Sequence, residues 1–187
     1  GSTHAGEEEI VTGVYRDLVA AGESLFLILV PRHPERCRPV REMLAGQGLG
    51  IGLRSALEER SAPFAPGEIL LVDTLGEMLT FYALADLVFV GGSLVPVGGH
   101  NVLEASIMEK PVVFGSYMHN FKEISSLLLS ERAGLMVTDR LELLGAVRQL
   151  LGDAARRTAM GRAGAGLLER NAGATDKTIA VIDRLVR

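Results

Sequence analysis

The segment Gly91-Gly92-Ser93-Leu94-Val95-Pro96-Val97-Gly98-Gly99-His100-Asn101 places two Gly-Gly pairs ahead of a helical pattern that carries Glu104. Glycine lets backbone N–H groups come close to a ligand, and a helix opening just downstream adds its positive end. The spacing therefore suits an anion, above all a phosphate. Asn101 as N-cap with Glu104 three residues on also reads as a reciprocal helix cap. Two glycine pairs exceed what a single turn requires, which favours the ligand reading. A second candidate is Pro31-Arg32-His33-Pro34-Glu35-Arg36, where a stiff loop sets Arg32 and His33 beyond a strand end, in position for an anion or a base. Arg36 is the weaker candidate there, and Arg38 and Arg41 read as a solvated helix face.

Two further segments have structural explanations of their own. In Asp73-Thr74-Leu75-Gly76-Glu77, Thr74 and Glu77 have the spacing of a capping box, and only Gly76 hints that something approaches the backbone. In Ser2-Thr3-His4-Ala5-Gly6-Glu7-Glu8-Glu9, three acids fall in a first helical turn, and compensation of the helix dipole accounts for them. The four histidines, His4, His33, His100 and His119, all lie where a strand ends or a helix opens. None has a partner at metal-ligand spacing, so no metal is expected. The glycine-rich dinucleotide fingerprint, the phosphate-binding loop of nucleotide triphosphatases and the nucleophile elbow are all absent.

The elements that must position these loops alternate. Residues 25–30, 69–72, 87–90, 111–114 and 135–137 read as strands, apolar on both faces as in a buried parallel sheet. Amphipathic helices are expected over 6–21, 35–46, 75–85, 102–109, 121–133 and 140–151, which gives a doubly wound α/β fold. Residues 48–67, rich in Gly, Pro and charge, read as a surface excursion with one possible short strand near 51–54. Residues 153–187 read as terminal helices packed on the sheet, with breaks near 161–166 and 171–173. In such a sheet, ligands bind at the carboxyl ends of the strands, where all the candidate loops fall.

At 187 residues the chain is one domain. Its net charge of -4 argues against a nucleic-acid partner, and a lone Cys37 fits a reducing, cytosolic compartment. No apolar run approaches the length of a membrane span, so this chain is expected to be soluble, without membrane contact of its own. The sequence opens on a helix-like segment with no strand before it, which suggests an excised domain.

Taken in order, Ser2-Thr3-His4-x-Gly6-Glu7-Glu8-Glu9, Pro31-Arg32-His33-Pro34-Glu35-Arg36, Asp73-Thr74-x-Gly76-Glu77, Phe89-Val90-Gly91-Gly92-Ser93-Leu94 and Gly98-Gly99-His100-Asn101-x-Leu103-Glu104 resemble successive motifs of bacterial 3-deoxy-D-manno-octulosonic acid (Kdo) transferases. The match runs from about Ser2 to Phe121. The resemblance implies the Rossmann-like carboxyl-terminal, donor-binding lobe of a GT-B glycosyltransferase. The full enzyme would transfer Kdo with inversion from CMP-Kdo to a lipid A precursor, at the cytoplasmic side of the inner membrane. The catalytic base and the acceptor surface would then lie in an amino-terminal lobe outside these residues, no residue of this chain would be catalytic, and no cofactor would be needed. Carried onto these positions, the Gly91, Gly92 and Ser93 backbone with Gly98, Gly99, His100 and Asn101 would take the phosphate. Glu104 would take the ribose hydroxyls, and Pro31 and Arg32 with Gly76 the cytidine side, with His33 also among the nucleotide-sugar-binding residues. The chain departs from the family pattern at Glu104-Ala105-Ser106 and Gly115-Ser116-Tyr117, where Glu-Pro-Ala and Gly-Pro-His are expected. Two alternatives remain: the donor lobe of a GT-B enzyme that uses a UDP-sugar, and a non-catalytic module that binds a phosphorylated metabolite.

Overall fold

The structure, a computed structural model, describes residues 1–185; for residues 171–185 it describes the helical backbone alone. Six short strands alternate with seven α-helices. In chain order these are α1 (Glu7–Ala20), β1 (Leu27–Leu29), α2 (Cys37–Gly46), β2 (Ile51–Leu53), β3 (Ile69–Leu71), α3 (Met78–Leu84), β4 (Val88–Val90), α4 (Leu103–Ile107), β5 (Val112–Gly115), α5 (Lys122–Ser130), β6 (Gly134–Val137), α6 (Arg140–Gly152) and α7 (Ala154–Leu185). Every strand pairing is parallel, as continuous runs such as Val112-Val113-Phe114 demand when both faces are covered. The ladders fall into two groups of three, ordered β1-β3-β2 and β4-β5-β6.

Residues 1–3 lie between the two groups and tie them together. The Thr3 N–H donates to the Val30 carbonyl at 3.2 Å and the Arg32 N–H to the Thr3 carbonyl at 3.0 Å, which pairs Thr3 in parallel with Pro31. On the other side, the Gly91 N–H donates to the Gly1 carbonyl at 2.8 Å. The ends of β1 and β4 are thereby fixed side by side, and so are the loops that leave them. On the amino-terminal side of this segment, an apolar cleft of about 350 Å³ runs between β1 and β4, walled by Leu27, Val30, Tyr82, Phe89 and Leu143. It lies away from Arg32, His100 and Glu104.

Apolar side chains on both faces of the sheets form the core. Val90, Val112, Phe114 and Leu128 pack on one side, Leu18, Val113, Leu143 and Leu150 on the other, and Leu29, Leu44, Ile69 and Leu71 around the β1-β3-β2 group. Among the described residues, no helix is long and apolar enough to cross a membrane.

Two expectations change. Within residues 48–67 the short strand expected near 51–54 is present as β2, in parallel register with β3, but the rest is not purely a surface excursion, because Phe64 returns to pack beside Val30 and Phe81. Gly52 leaves room for that ring, since a Cβ there would stand only 2.6 Å from its Cζ. The second change concerns α7, which runs unbroken across 161–166 and 171–173. Gly161 and Gly164 are close-approach points rather than breaks: a Cβ on Gly161 would collide with the Glu109 carbonyl, and one on Gly164 would lie 3.2 Å from Ser106 Oγ. With hydrogen there instead, α7 lies directly on α4 and on the turn that follows it. Residues 186–187 lie outside the described residues.

Candidate functional site

The first glycine pair already holds an anion, and it belongs to the protein. Glu7, at the first position of α1, is 0 % exposed. Its carboxylate accepts hydrogen bonds from Gly92 N–H at 2.7 Å, Ser93 N–H at 2.9 Å, Leu94 N–H at 2.8 Å and His4 N–H at 3.0 Å. A carboxylate stripped of water is tolerated only when such donors replace its hydration, and four fixed amides do so here. The Gly91, Gly92 and Ser93 amides, expected from the sequence to face a phosphate, are thus engaged by the protein's own groups. Gly91 N–H is committed to Gly1, and the next three amides to Glu7. The glycines have packing reasons as well. A Cβ at Gly91 would fall 2.7 Å from the Thr3 Cα, and at Gly92, in the left-handed region with φ +67°, it would press on the His100 ring at 2.9 Å. Ser93 is buried, donating to the Val90 carbonyl at 2.5 Å and accepting from Gly115 N–H at 2.7 Å, so it ties the ends of β4 and β5 together.

Dipole compensation therefore describes the acids at 7–9 poorly. Glu8 is also 0 % exposed, and Arg36 binds it with both ends of its fork, Nε to Oε1 at 3.2 Å and Nη2 to Oε2 at 3.1 Å. Arg36 is thus held by the protein rather than left for a ligand. Glu9 is exposed and alone behaves as an ordinary cap, accepting from Gly6 N–H at 3.0 Å.

The second glycine pair is different. Gly98 and Gly99 have φ of +111° and +79°, and side chains would not fit there: a Cβ on Gly98 would run into Asn120 and His119 Nε2, and one on Gly99 into Met118. Gly99 N–H donates to the Gly92 carbonyl at 2.7 Å, and Asn120 N–H to the Gly98 carbonyl at 3.0 Å. Among the described residues, the N–H groups of Gly98, His100 and Asn101 have no protein acceptor. Val102 is the N-cap of α4, and one residue before it the Asn101 side chain accepts from Leu103 N–H at 3.0 Å through Oδ1. That leaves Glu104 almost uncommitted, since its carboxylate takes only a long contact of 3.4 Å from Asn101 Nδ2. The reciprocal cap expected between Asn101 and Glu104 does not form. Burial and the Glu104 charge push the Tyr82 phenol up.

Three of the four histidines meet at the mouth of these loops. The His4 and His100 rings are nearly parallel, with centroids 5.0 Å apart, and meet end to end with their Nε2 atoms at 2.7 Å. His33 meets His4 edge-on at 6.0 Å. Burial, then the neighbouring His4 and Arg32, drop the His100 pKa to about 4. Burial also lowers that of His4, against the opposing charge of Glu7. Arg32 is exposed, and among the described residues its guanidinium has no ion-pair partner. His119 stands on the other side of the loop, beside Gly98.

Gly76 is accounted for by its own backbone, at φ +83° with nothing within 4 Å of where a Cβ would point. The expected capping box there does not form. Glu77 itself precedes α3, and its carboxylate receives Arg54 Nη2 at 2.7 Å and the Thr74 hydroxyl. Hydrogen bonding from Thr74, then from Arg54, holds the Glu77 carboxyl below the usual range. Among the described residues, no group of three His, Cys, Asp or Glu side chains is arranged to hold a metal.

No family model matches the chain. It is 37% identical to the 3-deoxy-D-manno-octulosonic acid transferase of Haemophilus influenzae over 97% of its own length and 42% of the relative's. It is 35% identical to the enzyme of the same name from Bordetella pertussis over 97% of its length and 43% of that protein. The chain thus spans about two fifths of the length of these curated relatives. Among solved structures it resembles the C-terminal CMP-Kdo binding domain of WaaA from Acinetobacter baumannii. The TM-score is 0.82 at 32% identity, covering 89% of this chain and 86% of that one.

Proposed function

Because the chain belongs to the 3-deoxy-D-manno-octulosonic acid transferase family and corresponds to its carboxyl-terminal domain, we propose that it is the CMP-Kdo-binding half of an inverting glycosyltransferase. The observation that carries this reading is the meeting, at adjacent strand ends, of uncommitted groups suited to a nucleotide. These are the amides of Gly98, His100 and Asn101, the Glu104 carboxylate and the Arg32 guanidinium.

In this reading the phosphate of the donor sits against residues 98–101, with Arg32 reaching it from the β1 loop. Fixed N–H donors and a guanidinium answer the charge that grows on the phosphate as the sugar departs. Glu104 accepts from the ribose hydroxyls, a task for which a carboxylate with free lone pairs is suited. Pro31, His33 and Gly76 line the cytidine side. Gly91, Gly92 and Ser93 act at one remove, by holding the Glu7 carboxylate and the His100 ring that shape the loop. The base that takes the acceptor's proton belongs to an amino-terminal lobe, so the domain binds donor without transferring sugar. The full protein would use a lipid A precursor in lipopolysaccharide synthesis at the inner membrane.

Calorimetry tests the reading directly. CMP is expected to bind with modest affinity and UMP more weakly, and Glu104→Gln to weaken CMP by about tenfold, as for loss of one charge-assisted hydrogen bond. Equal affinity for CMP and UMP, or an unchanged Glu104→Gln variant, refutes the donor assignment or the ribose contact respectively.

A further inference from the structure

His4 has no role in the donor site as read from the sequence, yet it touches His100 inside that site. Two imidazole Nε2 atoms 2.7 Å apart cannot both carry a proton and stay there, and cannot both lack one without lone pairs facing each other. One ring must donate and the other accept. A single extra proton can enter at an outer Nδ1 and leave the N–H···N contact intact, but two would set N–H against N–H. The pair therefore titrates as a unit with two separated steps.

We propose that His4 and His100 form a proton-sharing pair that takes up one proton when an anion docks between Arg32 and residues 98–101. The inference rests on the nucleotide reading and deepens it by adding His4 to the groups that recognise the phosphate.

The charges around the pair explain why the proton arrives with the ligand. From the loop after β1, His33 meets His4 edge-on, and Arg32 beyond it opposes a positive charge on His100. Arg36, from the turn that follows, opposes a charge on His4. From α1, Glu7 and Glu8 favour one. Both of those carboxylates are already committed, Glu7 to four amides and Glu8 to the Arg36 fork. The partly buried pair is thus short of negative charge and neutral at neutral pH, in keeping with the lowered pKa of both rings. A phosphate supplies the missing charge, and it also offsets Arg32.

The sign follows from linkage. Binding raises the pKa of the pair, so affinity strengthens as pH falls from the bound-state value toward the free-state one. In that window the change reaches about tenfold per pH unit when one full proton is taken up. Titration of CMP's own phosphate works the other way, because its more highly charged form predominates at higher pH. Sulfate, whose charge is constant near neutrality, isolates the protein's contribution.

The test is calorimetry of sulfate and of CMP with this chain between about pH 5 and 8, in buffers of different ionisation heat, alongside NMR of the imidazole Cε1–H resonances. Sulfate binding is expected to tighten as pH falls, with net proton uptake and a joint shift of the His4 and His100 resonances. His4→Gln and His4→Phe, each checked by thermal melting, are expected to lose the proton uptake and flatten the pH slope while still binding. Sulfate binding without proton uptake, or uptake undiminished in both His4 variants, overturns the proposal and leaves the donor site standing. Failure to bind either sulfate or CMP at any pH sinks both readings together.

Discussion

Replacing Glu7 with glutamine separates two accounts of the acidic start of α1. The carboxylate accepts from Ser93 and Leu94 at Oε1, and from Gly92 and His4 at Oε2. An amide offers one oxygen, so whichever way the glutamine turns, its NH₂ faces two N–H donors. Two charge-assisted bonds are lost and two amides are left without an acceptor in a site sealed from water. At about 1.5–3 kcal/mol for each hydrogen bond to a charged group, the cost is about 3–6 kcal/mol. That is a large share of the ~5–15 kcal/mol that stabilises a domain. For a chain of this size it corresponds to a fall of roughly 6–24 °C in Tm, read by differential scanning calorimetry. Glu9→Gln provides the control, because Glu9 is exposed and caps only Gly6. If the three acids served merely to offset the helix dipole, each would contribute about 0.3–1 kcal/mol, and the two variants would melt within a few degrees of each other. That result refutes the assignment of Glu7 as an internal anion.

Arg36→Ala is expected to destabilise the domain by about 1–3 kcal/mol, discounted from the cost of a fully buried pair because the guanidinium is partly in water, and urea unfolding would measure it. Most of that loss comes from stranding the Glu8 carboxylate, so Glu8→Gln combined with Arg36→Ala should recover part of it. Gly161→Val should cost about 1–3 kcal/mol in the same assay, through overpacking against the Glu109 carbonyl, whereas Gly152→Ala, where nothing lies within 4 Å of a Cβ, should be near neutral or stabilising.

Features set by local signals are legible in the sequence, and those that depend on partners far along the chain are not. Continuous apolar runs such as 111–114 announce a strand covered on both faces, and β5 is a central strand buried along its whole length. Alternation of such runs with helical patterns was enough to place the candidate loops at strand ends. Nothing local marks Glu7 as buried, because three consecutive acids look alike in one dimension. Only the return of the chain at residues 92–94, some 85 residues later, gives one of them buried donors. The Thr74–Glu77 spacing misled for the opposite reason. A real local preference was overridden when Arg54, 23 residues away, captured the carboxylate. The convergence of His4, His33 and His100 had a faint signal, since each lies beside a strand end or helix start, but their contacts depend on residues 1–3 bridging β1 and β4.

The buried Glu7 also explains why a loop with two glycine pairs need not hold two phosphates. A nest of consecutive amides close to α1 would carry unsatisfied donors whenever the ligand was absent, at about 1–3 kcal/mol for each buried N–H left unpaired. With Glu7 as a permanent counter-charge, the first half of the loop keeps its shape in the empty state, and Gly92 keeps the His100 ring in place. In the second half, beside exposed His119 and Asn120, the amides of partly buried His100 and Asn101 have no protein acceptor among the described residues, and water can satisfy them until a ligand displaces it. A ligand therefore meets a loop whose backbone is already pinned, by Glu7 in the first half and by the Gly99–Gly92 and Asn120–Gly98 hydrogen bonds in the second, so little ordering cost is left for binding. Glu7→Gln should accordingly weaken CMP binding, although Glu7 lies outside the proposed nucleotide contacts. The loss should appear as a larger unfavourable binding entropy, and a variant that binds CMP with unchanged affinity and entropy would show that the two halves of the loop are independent.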